Sequence, residues 1–536
     1  MIKPKLLIFF VFFCLALSFA AFTNHAWEDY YITYRCSKNL ATGNGLVYTP
    51  GERVHAFTSP LNVLVPALIN YISADSSDEL VLWIFRLLSA SLLALAAINC
   101  YEIAKKLSFN KISIIFLLGL LATDAKTIDF TINGQEAAFM VFFLSWMFRT
   151  LMVSDEKITL KLALSWAGLM WTRPDGFIYF GSVALGFLLF PQGVRFARSR
   201  KELLAVYVKA TLLSMILYCP WFVWAWSYYG SPIPHTIVAK GLTFSPPDLL
   251  GYLQHFLLLP FNAIFGDTSA DAVFTPAYAH FGGWPAFMFL ASKAASFFCL
   301  IFWLLPTKNY SVRSLSVGFY ISLFYISYIA NYPYPWYIPN IAIMSFVILA
   351  LSADRIFTSI RSIRLDKVRS AASVIFKFIV SVSLIFAGIV LCLTAYQLRI
   401  QQHVIENGVR QQIGLWLLGN AAKGDTVFLE PSGYIGFYSN LKLYDFPGLT
   451  SLEVVAARKK LRSNQWKMLI EDLKPDWVVR RWYEATDDET TPAYLDQSYT
   501  SVKTFDAMPA VNSYRFLPGR YYLYHDSVYT VYKRDP

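Results

Sequence analysis

Charged residues that could do chemistry are rare in this chain and stand out against long apolar stretches. Two adjacent acids, Glu28 and Asp29, begin the first polar stretch, and isolated cations such as Arg173 and Lys240 follow much later. A carboxylate can accept the proton of an attacking hydroxyl, and a fixed Arg or Lys can stabilise a leaving phosphate. The combination predicts transfer of a group from a phosphate-bearing donor. The candidate site residues are Glu28, Asp29, Arg35, Arg53, Glu136, Arg173, Asp175, Tyr229, His235 and Lys240.

The composition places most of the chain in a membrane. Of the 536 residues, 56% are hydrophobic and 15% are charged, whereas soluble proteins carry about 25% charged residues. The net charge of +11 is not spread evenly, because residues 396–536 hold 17 Lys+Arg against 16 Asp+Glu. The first 395 residues therefore hold 46 − 17 = 29 basic against 35 − 16 = 19 acidic residues. A basic excess confined to the apolar part is typical of cytoplasmic membrane loops and argues against nucleic-acid binding.

About eleven apolar stretches predict membrane-spanning helices, each of which needs about 20 mostly apolar residues. They cover 5–23, 79–103, 111–125, 134–150, 158–172, 176–191, 203–226, 284–305, 315–331, 337–352 and 372–395. The first stretch follows Lys3 and Lys5 as a signal peptide would, but residues 18–22 form a weak cleavage site. We therefore expect a retained helix.

The distribution of Lys and Arg predicts which side of the membrane each loop occupies, because basic residues are retained in cytoplasmic loops. With the N-terminus inside, basic clusters such as 195–201 and 355–369 fall in the cytoplasmic connections, and the opposite loops between later helices hold few basic residues. This pattern predicts a multi-pass inner-membrane protein of bacterial type with its C-terminal segment in the periplasm. The candidate clusters then share the outer face, where ionisable groups beside the hydrocarbon usually mark a substrate path.

Some of these features also have a purely structural explanation. The acid pair is equally typical of a solvated helix end, and Arg35 is equally suited to pair with Glu28 or Glu52. Tyr and Trp at helix ends form an interfacial belt, which is the interpretation that we prefer for Trp303 and for most of the cluster at 332–337.

The chain divides into a membrane module, residues 1–395, and a soluble tail, residues 396–536. The first periplasmic loop of the module, residues 24–78, carries the acid pair. In the tail, short strands are predicted at 426–430, 441–445, 476–480 and 528–533, and a helix at 453–473. The expected fold is therefore an α-helical polytopic membrane protein with a C-terminal extracytoplasmic α/β domain.

No metal or cofactor is predicted. Five of the six cysteines lie in apolar stretches, no CxxC spacing is present, and the candidate clusters contain one histidine. A divalent cation that bridges a carboxylate and a phosphate stays open as an alternative, and activity in excess chelator would exclude it.

A series of short motifs runs through the membrane module. In the first loop they read Glu28-Asp29-Tyr30-Tyr31-Ile32-Thr33-Tyr34-Arg35, Asn39-Leu40-Ala41, Gly43-Asn44-Gly45-Leu46-Val47 and Pro50-Gly51-Glu52-Arg53-Val54. Later motifs are Gly134-Gln135-Glu136, Arg173-Pro174-Asp175-Gly176, Tyr229-Gly230-Ser231-Pro232-Ile233-Pro234-His235 with Lys240, and Phe446-Pro447-Gly448-Leu449-Thr450 in the tail. In this order they resemble the GT-C superfamily of glycosyltransferases, in particular bacterial cell-wall arabinofuranosyltransferases that use a decaprenyl-phosphate arabinose donor.

The resemblance implies an inverting transfer of one sugar from a polyprenyl phosphate. Asp29 would act as the base, and Glu28 would bind the acceptor or orient the base. The residues implied in donor binding are Arg53, Arg173 and Lys240 for the phosphate, and Glu136 and His235 for the sugar. Glu28 stands where the family often has aspartate and His235 where it usually has asparagine, so the sugar stays open.

The expected partners are the lipid bilayer, a polyprenyl-phosphate-linked sugar, and an acceptor that is a glycan, a lipid or a protein. A lipid-linked donor is expected because nucleotide sugars reside in the cytoplasm. The main rival is a transporter or flippase of a lipid-linked sugar, which predicts polar or broken helices at mid-membrane. A polymerase or ligase that uses a diphosphate lipid, and a sensor whose tail binds a ligand, are further alternatives.

Overall fold

The computed structural model describes residues 3–73, 77–153, 156–242, 246–330, 334–484 and 490–536. Its helices are α1 (Pro4–Thr23), α2 (Glu28–Ala41), α3 (Pro60–Ile72), α4 (Asp78–Lys106), α5 (Lys111–Thr123), α6 (Ala125–Ile132), α7 (Ala137–Val153), α8 (Ile158–Thr172), α9 (Gly176–Leu189), α10 (Arg200–Tyr229), α11 (His235–Gly241), α12 (Leu249–Phe265), α13 (Ala286–Ile301), α14 (Tyr310–Phe324), α15 (Ile338–Arg361), α16 (Asp366–Ile400), α17 (Gln411–Asn420), α18 (Tyr434–Ser439), α19 (Leu452–Leu461), α20 (Trp466–Leu473), α21 (Thr490–Ser498), α22 (Met508–Ser513) and α23 (Arg520–His525). The strands are β1 (Thr426–Leu429), β2 (Lys442–Asp445), β3 (Trp477–Arg481), β4 (Tyr499–Asp506) and β5 (Val528–Arg534). Tyr332 and Pro333 of the predicted aromatic belt lie outside the described residues.

Each of the eleven predicted spans overlaps a helix, but fewer helices have the length and apolar composition to cross a membrane. Within the described ranges seven helices do, or eight if the bent pair α6 and α7 forms one span. The helices α5 and α9 have only 13 and 14 residues. The chain is therefore a multi-pass helical membrane protein, while the count of eleven and the sidedness stay predictions.

The helix α2 was not predicted, and its start fixes the acid pair. Asn24 ends α1 in a left-handed conformation and turns the chain. Trp27, which precedes α2, donates a hydrogen bond from Nε1 to Asp129 Oδ1 at 2.9 Å and stacks on Phe130. Both acids then occupy the first turn of α2, where the helix dipole stabilises negative charge.

The pair α6 and α7 forms a sharp bend of 117° rather than one straight span. The break carries Gly134 at φ 91°, and Asn62 Nδ2 donates to its carbonyl at 3.0 Å. Gln135 and Glu136 follow at the break, and both are buried. The bend therefore brings polar side chains between α2 and the membrane helices.

The tail forms a mixed five-stranded sheet in the order β2-β1-β3-β5-β4. Strand β1 pairs in parallel with β2 and β3, whereas β5 is antiparallel to β3 and β4. The small α/β tail and its four predicted strands are confirmed, but β4 was missed. The predicted helix at 453–473 is wrong as one element, because Arg462 adopts φ 51° and separates α19 from α20.

The tail is joined to the membrane module by one continuous helical rod. Helix α16 passes without a break through a π-helical segment, Gln401–Arg410, into α17, so that Asp366–Asn420 is continuous. The tail also packs on the first polar segment, where Tyr48 Oη donates to Ser432 O at 2.6 Å. The tail is therefore held against the membrane module both by the continuous helix and by its contact with the first polar segment.

Candidate active site

A cavity lies between the first polar segment and the tail, and we call it the main cavity. Its volume is about 480 Å3. From the membrane module it is lined by Trp27, Glu28, Asp29, Ile32, Gln135, Lys240, Tyr278, Phe281, Tyr334 and Trp336. From the rod and the tail it is lined by Arg410, Glu430, Pro431, Ser432, Phe446, Pro447, Leu449, Arg481, Tyr483, Tyr522, His525 and Asp526.

A smaller polar cavity, the inner recess, adjoins the main cavity. Its volume is about 60 Å3, and it adds Thr58, Ser59, Glu136, Arg173 and Thr236 to the polar lining. The residues that line both cavities are Asp29, Ile32, Gln135, Lys240, Trp336 and Leu449. A carboxylate and an ammonium group therefore stand where the two cavities meet.

Asp29 is half-buried in this position, and its surroundings shift its ionisation. Burial raises the pKa of Asp29 above its ordinary value, while the positive charge of Lys240 opposes the rise. Glu136 and Glu430 raise it further, and Arg173 lowers it. A carboxylate with a raised pKa is a stronger base than an exposed aspartate, as a general base requires.

Lys240 extends from the short helix α11 toward an aromatic wall. Its Nζ lies 4.5 Å from the ring centroid of Tyr334 and 5.9 Å from that of Trp336. Burial lowers the pKa of Lys240, and Asp29 opposes the decrease. The sequence interpretation of Tyr334 and Trp336 as interfacial belt residues is therefore wrong, since both line the main cavity.

Arg173 is held rigidly at the wall of the inner recess. Its Nη1 lies 2.6 Å from Glu136 Oε1, and its Nε lies 2.9 Å from Asp175 Oδ1. Tyr325 Oη donates to Asp175 at 2.8 Å, and the guanidinium lies over the ring of Tyr337. Asp175 thus touches Arg173 rather than the cavity, and acts on the recess through it.

Glu28 points away from Asp29 into a buried ion network that reaches the tail. Its Oε2 lies 3.2 Å from Arg410 Nη1, and its Oε1 accepts a hydrogen bond from the Gly433 amide. Arg410 also contacts Glu406 at 3.0 Å and Asp526 at 2.8 Å. Burial raises the pKa of Glu28, which Arg410 opposes.

Asp526 connects this network to a second guanidinium. Its Oδ1 lies 3.2 Å from Arg481 Nη1 and accepts a hydrogen bond from Tyr529 Oη at 2.7 Å. Burial alone would raise the pKa of Asp526, but Arg410 and Arg481 outweigh it and the pKa is lowered. Arg481 also pairs with Glu430 and Glu484. The network therefore runs unbroken from Glu28 on α2 to Arg481 at the end of β3.

Besides Asp175, four predicted site residues lie outside the lining of both cavities. Arg35 donates to the carbonyls of Gly436 and Leu441, at 2.8 and 3.0 Å, so its predicted pairing with Glu28 or Glu52 is wrong. Glu52 pairs instead with Lys442 at 2.5 Å. Through these contacts Arg35 has a structural role, which is to join α2 to the tail.

The other three of the four fix the loops around the cavities. Arg53 lies over the ring of Tyr228, and Tyr229 Oη donates to Leu46 O at 2.6 Å. His235 Nε2 lies 3.3 Å from Ser451 O in the tail. Its neighbour Thr236, not His235, lines the inner recess.

Sequence reasoning missed most of the tail side of the main cavity. Arg410 follows the last apolar stretch, and Glu430, Arg481 and Asp526 each follow or precede a strand. These residues belong to no motif, and the position of the last three at or near strand ends is the signal that could have found them.

The part of the chain that the structure describes offers no set of metal ligands. No group of three or more His, Cys, Asp or Glu side chains there could hold a metal ion. The expectation that no metal takes part stays a prediction.

Comparisons with known proteins support the sequence resemblance. Residues 397–532 match a family described only as a domain of unknown function, DUF8728. Over 238 residues the chain is 26% identical to the terminal beta-(1->2)-arabinofuranosyltransferase of Corynebacterium glutamicum. That match covers 40% of this chain and 32% of the relative, so the chain spans about a third of the curated relative. The predicted resemblance to bacterial arabinofuranosyltransferases is confirmed.

Two solved structures resemble the chain over most of its length. ArnT from Cupriavidus metallidurans bound to undecaprenyl phosphate gives a TM-score of 0.48 at 11% identity, covering 93% of this chain and 96% of that one. The arabinofuranosyltransferase AftD from Mycobacteria gives a TM-score of 0.43 at 13% identity, covering 94% of this chain and 37% of that one.

Proposed function

We propose that this protein is an inverting glycosyltransferase that moves one sugar from a polyprenyl-phosphate donor to a hydroxyl of a cell-envelope acceptor on the periplasmic face of the bacterial inner membrane. The observation that carries the proposal is the place of Asp29 and Lys240 at the junction of the main cavity and the inner recess. A transfer between two substrates needs a base for the acceptor hydroxyl and a cation for the leaving phosphate, both at the point where the substrates meet. Arabinofuranose is the sugar suggested by the resemblance.

In this reaction Asp29 takes the proton from the acceptor hydroxyl while that oxygen attacks the anomeric carbon. The bond from the anomeric carbon to the phosphate oxygen breaks, and its electron pair stays on the phosphate. Lys240 faces this developing charge, and Arg173 adds a second positive charge from the recess wall. The ion pairs of Arg173 with Glu136 and Asp175 keep its guanidinium in place without rearrangement during the reaction.

An apolar surface in the membrane module suits the isoprenoid tail of such a donor. A groove of about 290 Å3 is lined mainly by Leu, Phe, Ala and Val side chains of α5, α13, α15 and α16. A polar chamber of about 330 Å3 adjoins it and shares Thr275 and Pro276 with it. The chamber in turn shares Tyr278 and Phe281 with the main cavity, so the groove leads toward the proposed site. The proposal includes no metal.

The proposal is tested with purified full-length protein, a synthetic polyprenyl-phosphate arabinose and an arabinan acceptor. Loss of a general base costs about 10²–10⁴-fold in rate, so Asp29→Asn should lower transfer by that factor while donor binding persists. Asp496→Asn, an exposed position in the tail, serves as the matched control. Transfer by Asp29→Asn at the wild-type rate would refute the assignment.

The bend between α6 and α7 is a feature that the transporter alternative also predicts. The two functions are separated by following a labelled lipid-linked sugar in sealed vesicles. A transporter would move the label across the bilayer without joining it to the acceptor. Transfer of the label to the acceptor, lost in Asp29→Asn, favours the enzyme.

A further inference from the structure

The tail does more than close the main cavity, because the edge at which its parallel strands end lines that cavity. Strands β1, β2 and β3 are mutually parallel, so their carboxyl ends meet at the same edge. Glu430 directly follows β1, Phe446 directly follows β2, and Arg481 ends β3. All three line the main cavity.

The order of the strands marks one crevice within this edge. The chain passes from β1 to β2 on one side and then crosses back to β3 on the other side of β1. In open α/β sheets, ligands bind outside the carboxyl ends of the strands at the point where the order reverses. That point lies between β1 and β3, and it is flanked by Glu430 and Arg481, which pair with each other.

Both guanidinium groups at this wall already pair with carboxylates, which disfavours an anionic ligand. The connected network contains the five acids Glu28, Glu406, Glu430, Glu484 and Asp526 but only the two cations Arg410 and Arg481. A phosphate group is therefore better placed at Lys240, where the two cavities meet, and at Arg173 in the inner recess. At the switch point, the carboxylates can accept hydrogen bonds from neighbouring hydroxyls of an uncharged ligand, and the guanidinium can donate hydrogen bonds to them.

Aromatic rings surround the same crevice. Tyr483 is 48% exposed, and the His525 ring lies edge-on to it at 5.0 Å and to Phe281 at 4.6 Å. Tyr522 stacks on Tyr278 at 4.3 Å and joins the tail to the membrane module. Exposed aromatic faces beside hydroxyl-binding groups suit the flat apolar faces of sugar rings.

We propose that the carboxyl edge of the tail sheet is the acceptor subsite and that the acceptor is a neutral carbohydrate chain. Glu430 and Arg481 at the switch point bind hydroxyls of the glycan, and Tyr483 and His525 pack against its rings. This inference rests on the proposed glycosyl transfer, and it selects a glycan over a lipid or a protein as the acceptor. It also gives the tail a function, which is to bind sugar units behind the reacting hydroxyl.

The test compares acceptors of different length in wild-type protein and in Tyr483→Ala. Wild type should prefer a neutral oligosaccharide to the corresponding monosaccharide glycoside, because only the longer acceptor reaches the tail. An aromatic contact of this kind changes binding by about 2- to 12-fold, so Tyr483→Ala should raise KM for the oligosaccharide by that factor with kcat nearly unchanged. The monosaccharide should be used equally well by both proteins.

Trp482→Ala is the matched control, because Trp482 is also 48% exposed but does not line the main cavity. His525→Ala provides a second variant, for which the same rise in KM is expected. If wild type transfers sugar but both cavity variants keep the wild-type KM and length preference, the subsite is wrong while the proposed function stands. If wild type transfers sugar only to lipid or peptide acceptors, the inference is also wrong. If wild type transfers sugar to no acceptor, the proposed function itself fails.

Discussion

Arg410 is the residue whose removal tests most directly whether the membrane module and the tail share one site. It contacts carboxylates from three places, Glu28 on α2, Glu406 on the rod and Asp526 in the tail, at 3.2, 3.0 and 2.8 Å. Glu406 is fully buried, and the Asp526 side chain is 7% exposed. Arg410→Met keeps much of the side-chain volume but removes the positive charge that these acids share.

The expected cost follows from this geometry. Removing one partner of a buried ion pair costs about 3–5 kcal/mol, because the remaining charge is left uncompensated. Each kcal/mol lowers Tm by about 2–4 °C for a unit of 150–250 residues, so the tail and its interface should melt about 6–20 °C lower. Since Glu28 then loses an opposing cation, its pKa should rise further above the ordinary value of about 4.3.

The sign of the pH dependence follows from that shift. An acid with a raised pKa in the folded protein is stabilised when protonated, and its contribution is lost as the pH rises through the folded pKa. In wild type the pKa of Glu28 is raised to about 8, so the Tm difference between wild type and Arg410→Met should widen from pH 7 to pH 9, where wild type loses this proton and the variant keeps it. Adding Glu406→Gln to the variant should recover part of the loss, about 0.5–3 kcal/mol, since one uncompensated acid is removed.

The assay is thermal unfolding in detergent across this pH range, with tryptophan fluorescence as the readout. Arg515→Met is the matched control, because Arg515 is exposed in the same tail. A difference of 2 °C in Tm corresponds to at most about 1 kcal/mol of unfolding free energy. An Arg410→Met protein that melts within 2 °C of the control at every pH would therefore refute the reasoning.

Two further predictions concern the site itself. The acid limb of kcat/KM for wild type should lie above pH ~3.9, the ordinary aspartate pKa, because burial raises the pKa of Asp29. Lys240→Gln removes the opposing charge and should move this limb to higher pH in a pH–rate profile; an unmoved limb would contradict the pairing of the two residues. Trp336→Leu should raise KM for the donor by about 2- to 30-fold, the range for a cation–aromatic contact of ~0.5–2 kcal/mol. Trp303→Leu, at the predicted interfacial belt, should leave that KM unchanged, and equal effects of both changes would contradict a role of Trp336 in donor binding.

The sequence was informative where a long run of similar residues determines the structure. The eleven apolar stretches all became helices, because burial of such residues in lipid or in a helical core leaves few alternatives. The acid pair and Lys240 were also found, since charges are rare in this part of the chain. The short helix α2 was missed because its apolar residues show no sustained period.

Contacts between distant parts of the chain could not be predicted from local patterns. Glu28 and Arg410 are 382 positions apart, and nothing in either segment specifies the partner. The strand β4 was missed because nearly all of its side chains are exposed, so it lacks the alternation of a half-buried strand. Trp336 was misassigned because an aromatic residue at a helix end gives the same sequence pattern whether it faces lipid headgroups or a cavity.

In the proposed reaction, the unbroken helix Asp366–Asn420 would set the distance between the main cavity and the bilayer. At 1.5 Å per residue its 55 residues extend about 80 Å, and the segment that passes the main cavity is locked by Arg410. A tail rooted in this way cannot tilt outward to meet a remote substrate. Under the proposed function, an acceptor glycan would have to bring its free end to that level, so distance from the membrane would select acceptors in addition to their chemical structure.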